Sequence, residues 1–137
     1  MAATDLTDAL HARGQRVTAQ RVVLHDALTE LGRHATAEEI ARVAMPRLPG
    51  LSLPTVYATL ELLAELALVR RVATGGPAVL WDPRPEPHHH FLCRSCGAVA
   101  DLDAAVDARP ALVAARAAGA VPEDADLVVR GRCAACA

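Results

Sequence analysis

The four cysteines of this 137-residue chain form two pairs, each with two residues between its members. Cys93 and Cys96 form the first pair, and Cys133 and Cys136 form the second. Thiolates in two such pairs are typical of a tetrahedral zinc site, whereas a redox-active pair normally occurs singly on a thioredoxin-like pattern. We therefore expect a structural zinc ion on the four thiolates. Free buried thiols or a redox pair are the alternative.

A run of three histidines, His88-His89-His90, lies directly before the first cysteine pair. Alternate side chains of a strand share a face, so His88 and His90 can reach one metal ion while His89 points away. Oxygen ligands would complete such a site, and Asp82 and Asp101 flank the histidines. The alternative is a solvated histidine run without a ligand role.

The elements that must position these residues follow from hydrophobic periodicity. Apolar residues recur at helical spacing from Thr4 to about Leu68, with stop signals at Gly14, Gly32 and 46–50. The pattern predicts four short helices. Side chains that can accept a hydrogen bond from free backbone N–H groups stand at three of the expected starts, which are Thr18, Thr36 with Glu39 as a capping box, and Ser52.

A β-hairpin is predicted after these helices, from Val69–Ala73 through a Gly75-Gly76 turn to Ala78–Trp81. Helices followed by a hairpin describe a winged helix-turn-helix, which we place at residues 1–81. Three prolines within 82–87 predict an extended hinge.

A second, small α/β unit is predicted over 88–137. Strands are expected at Phe91–Leu92, Ala98–Leu102 and Leu127–Arg130, and a helix at Ala111–Ala118. A unit of this size has too few residues to form a large apolar core. We therefore expect it to need a metal ion or a partner subunit for stability. The fold class is therefore α+β.

Composition restricts the class of protein further. The chain is 53% hydrophobic, but no apolar run approaches the roughly 20 residues that cross a bilayer, and the first residues lack a signal-peptide pattern. We expect a cytoplasmic protein without a membrane partner. The formal net charge of −2 does not indicate nucleic-acid binding, so any DNA contact must depend on locally placed arginines.

Five motifs, in order along nearly the whole chain, resemble the ferric uptake regulator family. They are Gly14-x-Arg16-x-Thr18-x-Gln20-Arg21, His34-x-Thr36-Ala37-Glu38-Glu39-Ile40, Thr55-Val56-Tyr57-x-Thr59-Leu60-x-Leu62-Leu63, His88-His89-His90-x-x-Cys93-x-x-Cys96-Gly97 and Gly131-x-Cys133-x-x-Cys136. The resemblance implies a homodimeric, metal-dependent repressor that binds a pseudo-palindromic operator in double-stranded DNA, and not an enzyme.

The resemblance also implies roles for individual residues. A regulatory Fe(II) or Mn(II) ion would be held by His34, Asp82, His88, His90 and Asp101. The DNA contacts would come from Arg16, Gln20, Arg21, Ser52, Thr55 and Tyr57. Taken alone, His34 would be a surface or capping residue, and we expect His11 and His25 to be solvated.

Two aspartates among the regulatory ligands resemble the peroxide-responsive branch of the family, with an iron-responsive regulator as the alternative. Two other classes compete: a metal-dependent enzyme, and a zinc-ribbon interaction module that does not bind DNA. Five protein ligands leave little open coordination for catalysis. A zinc ribbon would leave the Thr55-Val56-Tyr57 helix and the hairpin unexplained.

Four alanines depart from common family residues. Ala125 and Ala108 argue against a complete second regulatory site, and Ala58 offers no side chain for a DNA contact beside Tyr57. Ala67 replaces a glycine that commonly ends this helix, which would cost about 1 kcal/mol if the left-handed geometry is kept.

Overall fold

The computed structural model describes residues 2–73 and 78–137, so the predicted Gly75-Gly76 turn lies outside the described residues. The chain divides into two compact units, Met1–Pro85 (unit 1) and Glu86–Ala137 (unit 2). The boundary between them falls within the segment predicted as a hinge.

Unit 1 begins with four α-helices and a short 3₁₀ turn. They are α1 (Ala2–Ala12), α2 (Ala19–Leu31), α3 (Ala37–Ala44), the 3₁₀ turn (Met45–Arg47) and α4 (Leu53–Glu65). The three predicted caps are present: the Thr18 and Ser52 hydroxyls each accept from a backbone N–H, and Thr36 with Glu39 forms the capping box. These side chains set where α2, α3 and α4 begin.

One apolar core joins these helices. Its largest fully buried side chains include Leu6, Leu10, Leu24, Leu28, Ile40, Val56, Leu60, Leu63 and Trp81. Burying each leucine or isoleucine contributes about 1.5–3 kcal/mol. Helix α4 is therefore held firmly by its inner face, while Tyr57 on its outer face stays exposed.

A two-stranded antiparallel sheet follows α4. Strand β1 (Arg70–Ala73) pairs with β2 (Val79–Asp82), with Arg70 opposite Asp82. Strand β2 therefore extends to Asp82, the first residue of the predicted hinge, and Asp82 is buried. An isolated bridge joins Trp81 to Ala35, just before α3.

Unit 2 is a three-stranded sheet with one helix. Its central strand β3 (His89–Cys93) pairs antiparallel with β4 (Val99–Leu102) and parallel with β5 (Val128–Gly131), and α5 (Arg109–Ala117) lies between β4 and β5 in sequence. All residues of unit 2 are described, and its buried side chains are those of His88, His90 and Cys93. As expected from its size, unit 2 has no apolar core of its own.

His25 corrects one prediction, because its side chain is buried and not solvated. It lies on the same stripe of α2 as Leu24 and Leu28, which face the core. Burial lowers its pKa, so the neutral ring is favoured and packs as an apolar group. His11 is exposed, as predicted.

The connection from α4 to β1 contains the one non-glycine residue with positive φ among the described residues. Ala67 has φ 57°, so the left-handed geometry is kept without glycine. Its backbone N–H donates to Ala64 O at 3.0 Å, and Leu68 N–H donates to Leu63 O at 2.9 Å. These bonds end α4 and turn the chain toward β1.

We expect the Ala67→Gly variant to raise the free energy of unfolding by up to about 1 kcal/mol, because glycine adopts positive φ without steric cost. Urea unfolding, followed by the fluorescence of the single tryptophan, Trp81, measures the free energy of unfolding of unit 1. Ala58→Gly, at an exposed position inside α4, should instead lower the free energy of unfolding by about 1 kcal/mol. Equal losses in both variants would contradict the assigned strain.

Candidate metal centres and nucleic-acid interface

Both cysteine pairs lie in tight turns at the ends of paired strands. After β3, Gly97 adopts φ +77° and its N–H donates to Cys93 O at 2.9 Å. After β5, Cys136 N–H donates to Cys133 O at 2.9 Å. Because Cys93 is the register partner of Gly131 in the parallel pairing, the two turns lie at the same end of the sheet.

The four sulfur atoms converge on one point. One Sγ from each cysteine lies within 4.8 Å of all the others, and the Cys96 and Cys133 sulfurs are 3.8 Å apart. Zinc–sulfur bonds of about 2.3 Å in a tetrahedron place the sulfurs about 3.8 Å apart. The residues therefore fit a four-thiolate metal site, for which zinc is the usual ion.

Backbone groups prepare one of these sulfurs for metal binding. The N–H groups of Cys96 and Cys133 donate to Cys93 Sγ at 3.4 and 3.3 Å, and these bonds lower the pKa of Cys93 to about 6. Contacts with the neighbouring thiols, Cys133 first, raise the pKa of Cys136 to about 12. The Cys93 thiolate is thus favoured at neutral pH, while a metal must displace the proton of Cys136 to bind its sulfur.

A second group of donors surrounds the start of β3 in unit 2. Strand alternation turns His88 and His90 inward together, and antiparallel register places Asp101 opposite His90. The Nε2 atoms of the two histidines are 3.0 Å apart, and His88 Nε2 lies 3.0 Å from Asp101 Oδ1. The other ring nitrogen of His88 lies 2.6 Å from Glu86 O, so Nδ1–H donates there and the ring is oriented with Nε2 toward His90 and Asp101.

Unit 1 brings His34 and Asp82 together by a different route. Ala35 and Trp81 exchange two backbone hydrogen bonds of 3.0 and 2.8 Å, so the preceding His34 lies opposite the following Asp82. His34 Nε2 is 2.8 Å from Asp82 Oδ2, and both side chains are less than one-tenth exposed.

The donor types indicate the kind of metal site that each group could form. The donors are imidazole nitrogens and carboxylate oxygens, with no thiolate among them. Their separations are 2.8 Å in unit 1 and 3.0, 3.0 and 3.7 Å in unit 2. Both groups therefore fit a nitrogen and oxygen metal site that is chemically distinct from the four-cysteine site.

Sequence reasoning missed one acidic neighbour of these histidines. Asp126 Oδ2 lies 3.6 Å from His90 Nδ1, on the side of the ring away from Asp101. Asp126 directly precedes the β5 region, and the parallel pairing of β5 with β3 brings it to His90. No local pattern signals this contact.

The residues predicted to contact DNA lie at the starts of α2 and α4. Ser52 caps α4, its hydroxyl is 2.9 Å from the Thr55 hydroxyl, and Tyr57 follows within the next turn. Arg16 and Gln20 are exposed, and Arg21 is half-buried and donates to Arg16 O at 2.6 Å. Arg21 is thus partly committed to shaping the turn before α2.

A carboxylate that the sequence analysis did not single out reaches α4. The Tyr57 hydroxyl donates to Glu38 Oε1 at 3.3 Å, across from α3. Partial desolvation and the nearby charge of Glu38 raise the pKa of Tyr57, so its hydroxyl keeps the proton.

The model of the Ferric uptake regulator family matches residues 12–129, which contain helices α2 to α5, the histidines at 34, 88 and 90, and the first cysteine pair. The chain belongs to this family. Its members are metal-responsive, DNA-binding transcriptional regulators and not enzymes.

Relatives within the family differ in the signal that their names state. The chain is 37% identical over 125 residues to ferric uptake regulation protein 1 of Mycolicibacterium fortuitum, across 90% of this chain and 77% of that protein. It is 31% identical over 105 residues to the peroxide operon regulator of Bacillus subtilis, across 74% of this chain and 72% of that protein. Sequence similarity therefore leaves the signal open between iron and peroxide.

A solved family structure has the same fold. The ferric uptake regulator from Pseudomonas aeruginosa with manganese superposes with a TM-score of 0.70 at 26% identity, covering 94% of this chain and 98% of that one. Within residues 2–73 and 78–137, no helix combines the length and apolar character that crossing a membrane requires.

Replacing Cys136 with serine should release the metal from the four-cysteine site. A structural zinc ion contributes about 10–16 kcal/mol of binding free energy, and unit 2 has little else to hold its last strand. Metal analysis of the purified protein should find zinc in the wild type and none in Cys136→Ser, whose thermal midpoint should also fall. Ser95→Ala, an exposed change inside the first turn, is the matched control and should keep its zinc. Full zinc content in Cys136→Ser would contradict the assignment.

Proposed function

We propose that this chain is a cytoplasmic, homodimeric repressor that binds a pseudo-palindromic DNA operator when a regulatory metal ion is bound. The observation that carries the proposal is the close approach of imidazole and carboxylate donors in each unit, separate from the four-cysteine site. A single structural zinc site would need no such second set.

In this proposal one Fe(II) or Mn(II) ion takes its ligands from both units. Unit 1 offers two ligand atoms, from His34 and Asp82, and unit 2 offers three, from His88, His90 and Asp101. Two or three ligands alone would leave an octahedral ion largely hydrated and weakly held. Five protein ligands would bind the ion much more tightly. Neutral imidazoles and carboxylates without thiolate suit Fe(II) and Mn(II), and the structural zinc stays on the cysteines.

The second subunit follows from the exposed apolar side chains of unit 2. Helix α5 has no buried residue, and Val113, Leu127 and Val129 are exposed in a unit that has no apolar core. A second copy of this chain would cover such a surface and would explain how unit 2 is stable. A two-fold dimer in turn requires two similar half-sites in the operator.

DNA contact is assigned to α4 and to the segment before α2. Ser52, Thr55 and Tyr57 stand in the first turns of α4, where a recognition helix meets base edges in the major groove. Arg16, Gln20 and Arg21 would contact the phosphate backbone, which sets position and affinity more than sequence preference.

Regulation follows from the division of ligands between the units. His34 and Asp82 belong to the DNA-binding unit, so a shared ion would hold that unit at one orientation relative to the dimer. The two recognition helices would then have the spacing that the operator demands. Loss of the ion, or oxidation of a ligand, would free the hinge and lower DNA affinity.

We favour peroxide as the signal, with iron as the second candidate. Both oxygen ligands are aspartates, which resembles the peroxide-responsive branch, and the B. subtilis peroxide operon regulator is among the relatives. Identity to the M. fortuitum ferric uptake regulation protein favours iron.

Selection of genomic DNA by the Mn(II)-loaded protein should yield a pseudo-palindromic operator that the zinc-only protein binds much more weakly. His34→Ala in unit 1 and His88→Ala in unit 2 should each abolish the Mn(II) effect while keeping zinc, because they remove ligands from the same ion. His11→Ala, at an exposed histidine of α1, is the matched control.

Stoichiometry separates a shared ion from two independent ones. Titration should find one Mn(II) per chain in the wild type and none tightly bound in either ligand variant. Two Mn(II) per chain, with one lost in each variant, would refute the shared site. Equal operator binding with and without Mn(II) would refute metal control altogether.

Low peroxide added to the Fe(II)-loaded protein should release DNA and add one oxygen atom to the imidazole of His34 or His88. One peroxide oxygen would be added to the ring and the other would leave as water, so peroxide takes two electrons from the imidazole. A bound Fe(II) ion would mediate this transfer and return to Fe(II), whereas Mn(II) would not, so the Mn(II) form should show neither change. Peptide mass spectrometry locates the added mass, and the four zinc-bound cysteines should stay unmodified. Release that follows cysteine oxidation would refute the histidine route, and no release would favour an iron-responsive repressor.

A further inference from the structure

The charge of the proposed recognition helix is unusual for a DNA-binding surface. Helix α4 carries no arginine or lysine, and its two charged residues are Glu61 and Glu65. The charged side chain that reaches Tyr57 is also acidic, since it is Glu38 from α3. Such a surface offers hydrogen-bond acceptors and repels phosphate oxygens.

Two neighbouring glutamates at the start of α3 have different partners. Glu39 is taken up by the capping box and by an ion pair in which Arg33 Nη2 lies 2.7 Å from Glu39 Oε2. Glu38 does not belong to the capping box, and its side chain is exposed. Its Oε1 accepts a hydrogen bond from the Tyr57 hydroxyl at 3.3 Å. Helices α3 and α4 pack against each other in the core of unit 1, which fixes where these two side chains meet.

This contact determines what the Tyr57 hydroxyl offers to a ligand. A phenol has one proton to donate, and Glu38 accepts it, so the oxygen lone pairs remain. Tyr57 is 38% exposed, so these lone pairs are accessible. Phosphate oxygens cannot donate to them. In the major groove, the exocyclic amino groups of adenine and cytosine can.

We propose that Glu38 is a positioning residue for base readout: it holds the Tyr57 hydroxyl as a hydrogen-bond acceptor, so that α4 selects an adenine or cytosine amino group in each half-site. The inference rests on the proposed function, since it assumes that α4 enters the major groove. It adds a residue outside the recognition helix to the determinants of operator sequence.

A four-protein cycle tests the coupling. Operators are selected with the Mn(II)-loaded wild type, and affinities are then measured for single-base variants of the selected operator with Glu38→Ala, Tyr57→Phe and the double variant. One position per half-site should prefer adenine or cytosine by about fivefold in the wild type, the effect of one hydrogen bond. Both single variants should lose this preference, and the double variant should lose no more than either alone.

Glu38→Gln separates the hydrogen bond from the charge. Glutamine keeps a side-chain oxygen that accepts from Tyr57, so the base preference should survive, while loss of the negative charge should raise affinity for all sequences alike. Glu65→Gln, which removes a charge at the other end of α4, is the control and should leave the preference unchanged. Zinc content and thermal midpoint of each variant report that it is folded.

Failure of the proposed Glu38 role and failure of the repressor function would give different results. If Glu38→Ala lowers affinity equally at every position, or lowers the preference further in the Tyr57→Phe background, Glu38 does not act through Tyr57 and the inference is wrong while the repressor function stands. If the wild type selects no operator with any metal, the proposed function and the inference fall together.

Discussion

Strand β3 organises the chemistry of unit 2 because both of its edges are hydrogen-bonded. Antiparallel pairing with β4 sets Asp101 opposite His90, and parallel pairing with β5 carries the second cysteine pair to the first. One end of this strand thus assembles a nitrogen and oxygen site, and the other end assembles a four-sulfur site. A slip of one residue in either pairing would turn a ligand to the wrong face.

The two sites differ in what holds their ligands before a metal binds. At the cysteines, backbone N–H groups stabilise one thiolate, and the tight turns hold the sulfurs at the spacing of a tetrahedron. At the histidines, the Glu86 carbonyl accepts from His88 Nδ1–H and orients the ring, so that Nε2 faces His90 and Asp101. A metal at the first site would stabilise unit 2, which has no apolar core of its own.

Unit 1 depends on a different kind of support. Its apolar core holds α4 rigidly, and the two hydrogen bonds between Ala35 and Trp81 join the loop before α3 to β2. These hydrogen bonds place His34 next to Asp82. The same packing of α3 on α4 brings Glu38 to Tyr57, so the proposed metal ligands and the proposed base contact are positioned by one core.

The sequence by itself determined the elements and the chemical types of the sites. Caps at Thr18, Thr36 and Ser52, strand alternation at the histidines and the spacing of the cysteines are local signals, because each depends on residues a few positions apart. They located the helices, the five strands of the described residues and both ligand types. The family motifs then added His34 and Asp82 to the predicted ligands of the regulatory metal, although no local pattern relates these two residues.

Only the tertiary structure decided contacts between residues far apart in sequence. The burial of His25, the approach of Asp126 to His90 and the hydrogen bond from Tyr57 to Glu38 all arise where separate elements pack. Residue type and helical spacing do not distinguish a buried neutral histidine from a solvated one. The two differ in the side chains packed around them, which depend on the packing of the whole unit.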